Sequence, residues 1–385
     1  MDILAIVQAN VLTPIVLFFI LGVIAARIKS DLRIPDAISS ILPIYLLAAI
    51  GLHGGIEMRK TGFESMVIPM IAAIVLSIIM TLYHYQILRK IGKFNIFDSY
   101  ALASTYGAVG AVTFSVGLSF LRSQSISSEG YLAAILAVLE PISFILSIFL
   151  VNSAAVKNIQ KKREQLLSEK ELQKKSSSTD ILKDHPKQEV ATEHKKAEHN
   201  HTFTTSKEVD ELQKSVTTKS NMLEVLHETI TGKAIVILLG SIVIGYVIGE
   251  HGFESIKIVF DDLFFGALVI FLLEMGVVAG QRLSDIRKVG LFLIIFALVI
   301  PTLNGTIGVV TFTYLGLSTG GAVLFGTLMA SASFIAAPAI FRTAIPKANP
   351  SLYLTSALGI TFPYIVIVLL PVLLILSTTL HGGTI

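Results

Sequence analysis

The sequence contains no cysteine and no tryptophan, and only 15% of its 385 residues are charged. Without thiols there is no disulfide framework, no cysteine zinc site and no thiol nucleophile. A soluble domain carries about 25% charged residues, so a soluble enzyme is excluded as the main body. No GxxxxGK(S/T) loop occurs, which excludes a P-loop ATPase. His227-Glu228 lacks the second histidine of a zinc-protease helix, and no Ser, His and Asp fall at one membrane depth. Net charge is +3, and the basic residues lie in short loops and one linker, not in a stripe suited to nucleic acid.

What is present is apolar. Hydrophobic residues make up 53% of the chain and mean hydropathy is +0.75. The segment from Lys157 to Met222 holds 14 of the 30 basic and 11 of the 27 acidic residues, so the rest is poorer in charge still. A spanning helix needs about 20 apolar residues. Ten stretches qualify, at 9–27, 36–56, 65–88, 98–121, 131–156, 231–249, 261–281, 289–315, 320–343 and 352–379. The segment Met1 to Gln8 has an Asp and no basic n-region, and reads as the start of the first span, not a cleaved signal.

Leaving the linker aside, loops after odd spans carry 11 Lys and Arg and loops after even spans carry 4. Odd loops therefore face the cytoplasm, and both termini face outside. The division reads as residues 1–156, a first five-helix repeat; 157–222, a cytoplasmic charged linker, largely disordered; and 223–385, a second five-helix repeat with an amphipathic stretch near Leu223 to Ile230. Asp36, Gly51 and Gly55 recur as Asp261, Gly276 and Gly280 at an offset of 225, and Tyr131 and Pro141 recur as Tyr353 and Pro363 at an offset of 222. An odd number of spans per half inverts the second copy. The expected fold is an all-α membrane protein of ten transmembrane helices in two inverted repeats, an architecture of secondary transporters. Chance similarity between glycine-rich helices is the alternative.

The fourth span reads Ser104-Thr105-Tyr106-Gly107-Ala108-Val109-Gly110-Ala111-Val112-Thr113, and the ninth reads Ala330-Ser331-Ala332-Ser333-Phe334-Ile335-Ala336-Ala337-Pro338-Ala339. Small residues, Gly and Pro at the bilayer centre permit a broken helix. A break frees amides that suit an anion and carbonyls that suit a cation; close helix packing is the alternative. Glu140 lies deep in the fifth span. A membrane carboxylate costs about 2.5–3.5 kcal/mol and usually faces a cavity or partner, so Glu140 can hold a cation, carry a proton, or sit neutral in the bundle. Its repeat counterpart is Phe362, next to Thr361. Glu274 is also deep in its span. Asp261 and Asp262 read as helix caps, His53 and His84 as interfacial, and Arg122 and Arg342 as headgroup anchors. His185, His194, His199 and His201 read as solvated linker residues.

The run Ala344-Ile345-Pro346-Lys347-Ala348-Asn349-Pro350-Ser351-Leu352-Tyr353 resembles the segment after the ninth span of the sodium-dependent bicarbonate transporters first known from cyanobacteria. So do Tyr106-Gly107-Ala108-Val109, the Arg287-Lys288-Val289 run, and the long linker between two five-helix halves. The resemblance implies a core domain of spans 3–5 and 8–10, a gate domain of spans 1, 2, 6 and 7, a homotrimer, a location in the cell inner membrane, and a cytoplasmic nitrogen-regulatory-type protein as partner. It implies bicarbonate and Na+ as cargo where the fourth and ninth spans cross. The matching stretches here are Tyr106 to Thr113 and Ser331 to Pro338. From them the candidate site takes Tyr106, Gly107, Ala108, Val109, Gly110, Thr113, Ser331, Ala332 and Ser333, adds Thr361 from beside the counterpart of Glu140, and gives Thr113 and Glu140 to Na+. Where the cyanobacterial pattern has an Asp in the ninth span, this chain has Phe334, and Glu140 is left as the nearby carboxylate. Two other readings stand: an H+-coupled transporter of another small anion or monocarboxylate, and a membrane sensor or scaffold that transports nothing.

Overall fold

The computed structural model describes residues 10–140, 142–150, 227 and 231–383. Residues 1–147 with 225–385 form one compact unit; of the second, 148–224, only 148–150 are described. The linker, its histidines, Pro141, most of the 223–230 stretch and the Met1 to Gln8 segment lie outside the described residues, as do the side chains of Arg287, Lys288 and Arg342.

All regular structure among the described residues is helical. The main helices are α1 (Pro14–Arg27), α2 (Asp36–Thr61), α3 (Glu64–Lys90), α4 (Ile96–Gly107), α5 (Ala111–Ser123), α6 (Leu132–Leu150), α7 (Lys233–Phe253), α8 (Phe264–Arg282), α9 (Leu291–Tyr314), α10 (Thr319–Ala330), α11 (Ala336–Ala344) and α12 (Pro350–Leu380). Eight helical segments are long and apolar enough to cross a membrane, with α4 and α5 counted together; α1 and α10 are apolar but shorter. The chain is thus a multi-pass, all-helical membrane protein.

The entry to each broken span is capped. The Asn95 side chain accepts the Asp98 N–H at 2.9 Å before α4, and the Ser318 hydroxyl accepts the Gly321 N–H at 3.1 Å before α10. In the most apolar stretch within residues 96–123, 89% of the residues are buried, against 33% in those of α3 and α7. The interrupted span therefore runs through the protein interior, and α3 and α7 leave wide apolar faces for lipid. Two helix pairs cross at backbone distance. A Cβ on Gly55 of α2 would run into the Ile242 carbonyl of α7, and one on Gly245 of α7 into the Leu52 carbonyl of α2. Likewise a Cβ on Gly276 of α8 would strike the Phe19 carbonyl of α1, and one on Gly22 of α1 the Leu273 carbonyl. Only glycine permits such crossings.

Within α12 the hydrogen-bond ladder slips twice to π-helix, at Thr355–Thr361 and Ile365–Leu369. Pro363 and Pro371 follow these stretches, and each withholds an N–H from the ladder. The slips supply longer bonds where the ordinary ones are missing.

Candidate functional site

The fourth span stops at Gly107 and resumes at Ala111; the ninth stops at Ala330 and resumes at Ala336. Ala108, Val109 and Gly110 form the first break, with Gly110 extended at φ −108°. Ser331, Ala332 and Ser333 lie in the second, all buried. The two breaks bond to each other. The Gly110 N–H donates to the Ser331 hydroxyl oxygen at 2.7 Å, and that hydroxyl donates to the Leu328 carbonyl at 2.6 Å. The Ser333 N–H donates to the Thr105 carbonyl at 2.9 Å. Replacing Ser331 by Ala removes the acceptor of a buried amide, so a loss of about 1–3 kcal/mol is expected. The check is unfolding of the purified protein; an unchanged midpoint would show that the bond contributes nothing.

Few of the carbonyls freed at the break are available. The Gly107 carbonyl accepts the Ser77 hydroxyl at 3.0 Å, and Ser77 and Thr81 of α3 approach the Ser143 hydroxyl of α6 at 2.9 and 3.2 Å. A Cβ on Gly107 would overlap the Thr81 hydroxyl. This hydroxyl cluster is closed and tightly packed. The opposite face of the break differs: the first-turn N–H groups of α5 have no intrahelical partner, and Gly110, Ala111 and Val112 line a cavity of about 290 Å³. Glu140 and Ser333 line it too, along with Lys233, Phe334 and Ile335. The cavity reaches from the crossing to Ser39 and Ser40 near the start of α2 and to Lys233 at the start of α7.

Glu140 is 4% exposed, and its Oε2 has no hydrogen-bond partner. The other buried carboxylate among the described residues, Asp98, takes the Asn349 N–H at 2.7 Å and the Asn95 amide at 2.5 Å. Tyr106 and Thr361 meet behind the crossing, their hydroxyls 2.9 Å apart, while Thr361 donates to the Ala297 carbonyl at 2.7 Å. Thr113 is buried in the first turn of α5. Of the residues singled out in the sequence, Gly110, Glu140 and Ser333 face the cavity. Tyr106, Gly107, Ala108, Val109, Thr113, Ser331, Ala332 and Thr361 build its supports and do not line it.

Four readings change. His84 is fully buried and lies 3.2 Å from the Asn304 amide, not at an interface, because α3 runs on to Lys90. Arg122 is no headgroup anchor; its guanidinium sits 3.3 Å from Asp261 and over the Phe264 ring. Asp261 pairs with Arg122 and with His53, also at 3.3 Å, in a π-helical turn, and its side chain caps no helix. His53, Arg122 and Phe264 line a second cavity of about 280 Å³, together with Glu57 and Glu129. Glu274 is partly exposed, not buried, and accepts the Ser39 hydroxyl. Ser77, Ser143, Lys233 and Phe334 escaped the sequence reading as site residues; the one available signal was Ser77 and Thr81, hydroxyls four apart inside an apolar span.

Two interrupted spans crossing in the interior, next to a cavity with a buried carboxylate, define a membrane transporter. A family model described as the Na+-dependent bicarbonate transporter superfamily matches residues 14–378, and the chain belongs to that superfamily. No curated protein matches the sequence.

Proposed function

We propose that the protein is a secondary transporter that imports bicarbonate with Na+ across the cell membrane, built as two inverted five-helix repeats. The observation that carries this reading is the crossing of the two breaks, Gly110 on Ser331 at 2.7 Å, beside a cavity that contains Glu140. First-turn amides of α5 and the Ser333 hydroxyl suit the anion. Glu140 at the cavity suits Na+, and Thr113, which stands behind the lining, would join it only as the break moves. The repeat reading is supported by the glycines that recur at an offset of 225. In the second helix of one half they touch the first helix of the other: α2 on α7, and α8 on α1. The loop charges orient the cavity toward the cytoplasm. The family resemblance supports a trimer and a regulatory protein bound from the cytoplasm.

The test is uptake of labelled bicarbonate into proteoliposomes with and without a Na+ gradient. Several-fold stimulation by the gradient is expected; uptake indifferent to every cation gradient would overturn the reading. The unpartnered Oε2 of Glu140 favours H+ coupling as the second reading, marked by uptake that follows a proton gradient and ignores Na+. Removing residues 161–214 is expected to leave transport within about twofold of the intact chain. Loss of transport would instead give the linker an essential part, as the sensor or scaffold reading requires.

A further inference from the structure

The two cavities lie end to end on one seam. On α2 the lining passes from Leu47 in the first cavity to Ile50 in the second, and on α5 from Ser115 to Leu118. Each step is about one helical turn. Leu47 and Ile50 are buried, so an apolar seal closes the seam between the cavities. Gly110, Glu140 and Ser333 line the first cavity and not the second. The second cavity lies near the ends of α2 and α5, on the side that the loop charges place outside. Import from that side requires the seam to part between α2 and α5.

Arg122 and Asp261 stand on opposite sides of this seam. Arg122 is carried by α5, which is bonded at its start to the other break through Gly110 and Ser331. Asp261 belongs to the π-helical turn Ile258–Asp262, which is fastened to α2: the Tyr45 hydroxyl donates to the Val259 carbonyl, and the Tyr45 and Phe260 rings stack at 5.7 Å. The Arg122 guanidinium spans the gap, 3.3 Å from Asp261 Oδ1 and 5.8 Å from the centre of the Phe264 ring of α8. His53 of α2 stands 3.3 Å from the same oxygen. Glu57 and Glu129, which also line the cavity, have partners of their own: Lys60 at 3.6 Å and the Ser318 N–H at 2.7 Å. We infer that the Arg122–Asp261 pair is an outer latch. It holds the seam closed while the substrate site faces the first cavity, and it parts when the site turns outward. The inference rests on the transporter reading above and adds the residues that bias which way the site faces.

The test labels single cysteines, which is direct in a chain without native thiols. Ala49→Cys sits at the inner end of the second cavity and Ser40→Cys in the first. Purified full-length protein is treated with an uncharged maleimide, and the labelling rate at each position is measured alone and combined with Arg122→Gln or Asp261→Asn. Each neutral variant should raise labelling at position 49 about two- to fivefold, the range for a half-exposed ion pair. Labelling at position 40 should stay level or fall. A tenfold rise in ionic strength with choline chloride screens such a pair; it should speed labelling at position 49 when the pair is intact and leave the neutral variants unmoved. The two variants alter opposite sides of the seam, so if one fails to fold the other carries the test. A rate at position 49 untouched by the variants, an equal rise at both positions, or a salt effect that persists without the pair would overturn the latch. Na+-driven bicarbonate uptake alongside any of these results would leave the transporter reading standing. Absent uptake, with labelling that moves as expected, would remove the bicarbonate reading and keep the latch.

Discussion

Proteoliposomes carrying Glu140→Gln should lose gradient-driven uptake by about 10- to 100-fold. The substitution keeps the volume and removes the charge. Glu140 sits 4% exposed at the cavity with Oε2 unpartnered; among the described residues Glu274 Oε2 is also buried without a partner, but Glu274 is partly exposed and its other oxygen accepts the Ser39 hydroxyl. A carboxylate in a bilayer is unfavourable by about 2.5–3.5 kcal/mol, and no hydrogen bond within the protein offsets it at that oxygen. A cation or proton arriving with substrate does. Hydrogen bonds and contacts to charged groups contribute about 1.5–3 kcal/mol, which at about 1.4 kcal/mol per decade sets the range given. The decisive comparison is the Na+ or H+ dependence of initial rates. Wild-type dependence in the Gln variant would make Glu140 a bystander and leave the coupling ion to groups elsewhere.

Gly55→Val should cost at least about 3 kcal/mol and leave little folded protein in the membrane. The added Cβ would meet the Ile242 carbonyl and the Tyr246 N–H of α7, so the side chain has no rotamer that escapes and the helices must part. Overpacking typically costs 1–3 kcal/mol even when the neighbours are flexible side chains; here they are backbone. Gly276→Val is expected to behave alike, because it meets the Phe19 carbonyl in the other crossing. Gly240→Val is the control, since a Cβ there meets nothing within 4 Å. Yield and unfolding midpoint of the three variants check the claim; a Gly55 variant as stable as the Gly240 variant would mean the crossing is loose.

The apolar spans and the breaks in two of them were legible in the sequence because both follow from composition. Ser, Gly, Ala and Pro at Ser104 to Thr113 and at Ala330 to Ala339 remove the side chains that would hold a continuous helix. The pairing of Gly110 with Ser331 was not legible, since it depends on how two distant segments cross. Nor was the orientation of hydroxyls: Thr361 was singled out beside Phe362, the repeat counterpart of Glu140, whereas its partner is Tyr106. Arg122 misled because a basic residue at a span end usually meets headgroups; Asp261 lies 139 residues away and shows no local pattern. Lys233 looked like the edge of a span, and only the cavity gives it a second meaning.

The two slips in α12 change how that helix can be read at all. Each bond of the longer kind takes in one residue more than an ordinary turn, which rotates everything beyond it by about 100° relative to a regular wheel. Thr361, Tyr364 and Ser377 therefore do not fall on the faces that simple spacing assigns them. The α12 sequence has to be drawn as three cylinders with separate phases, and a single-residue deletion between Thr355 and Thr361 would re-aim the whole carboxy-terminal half.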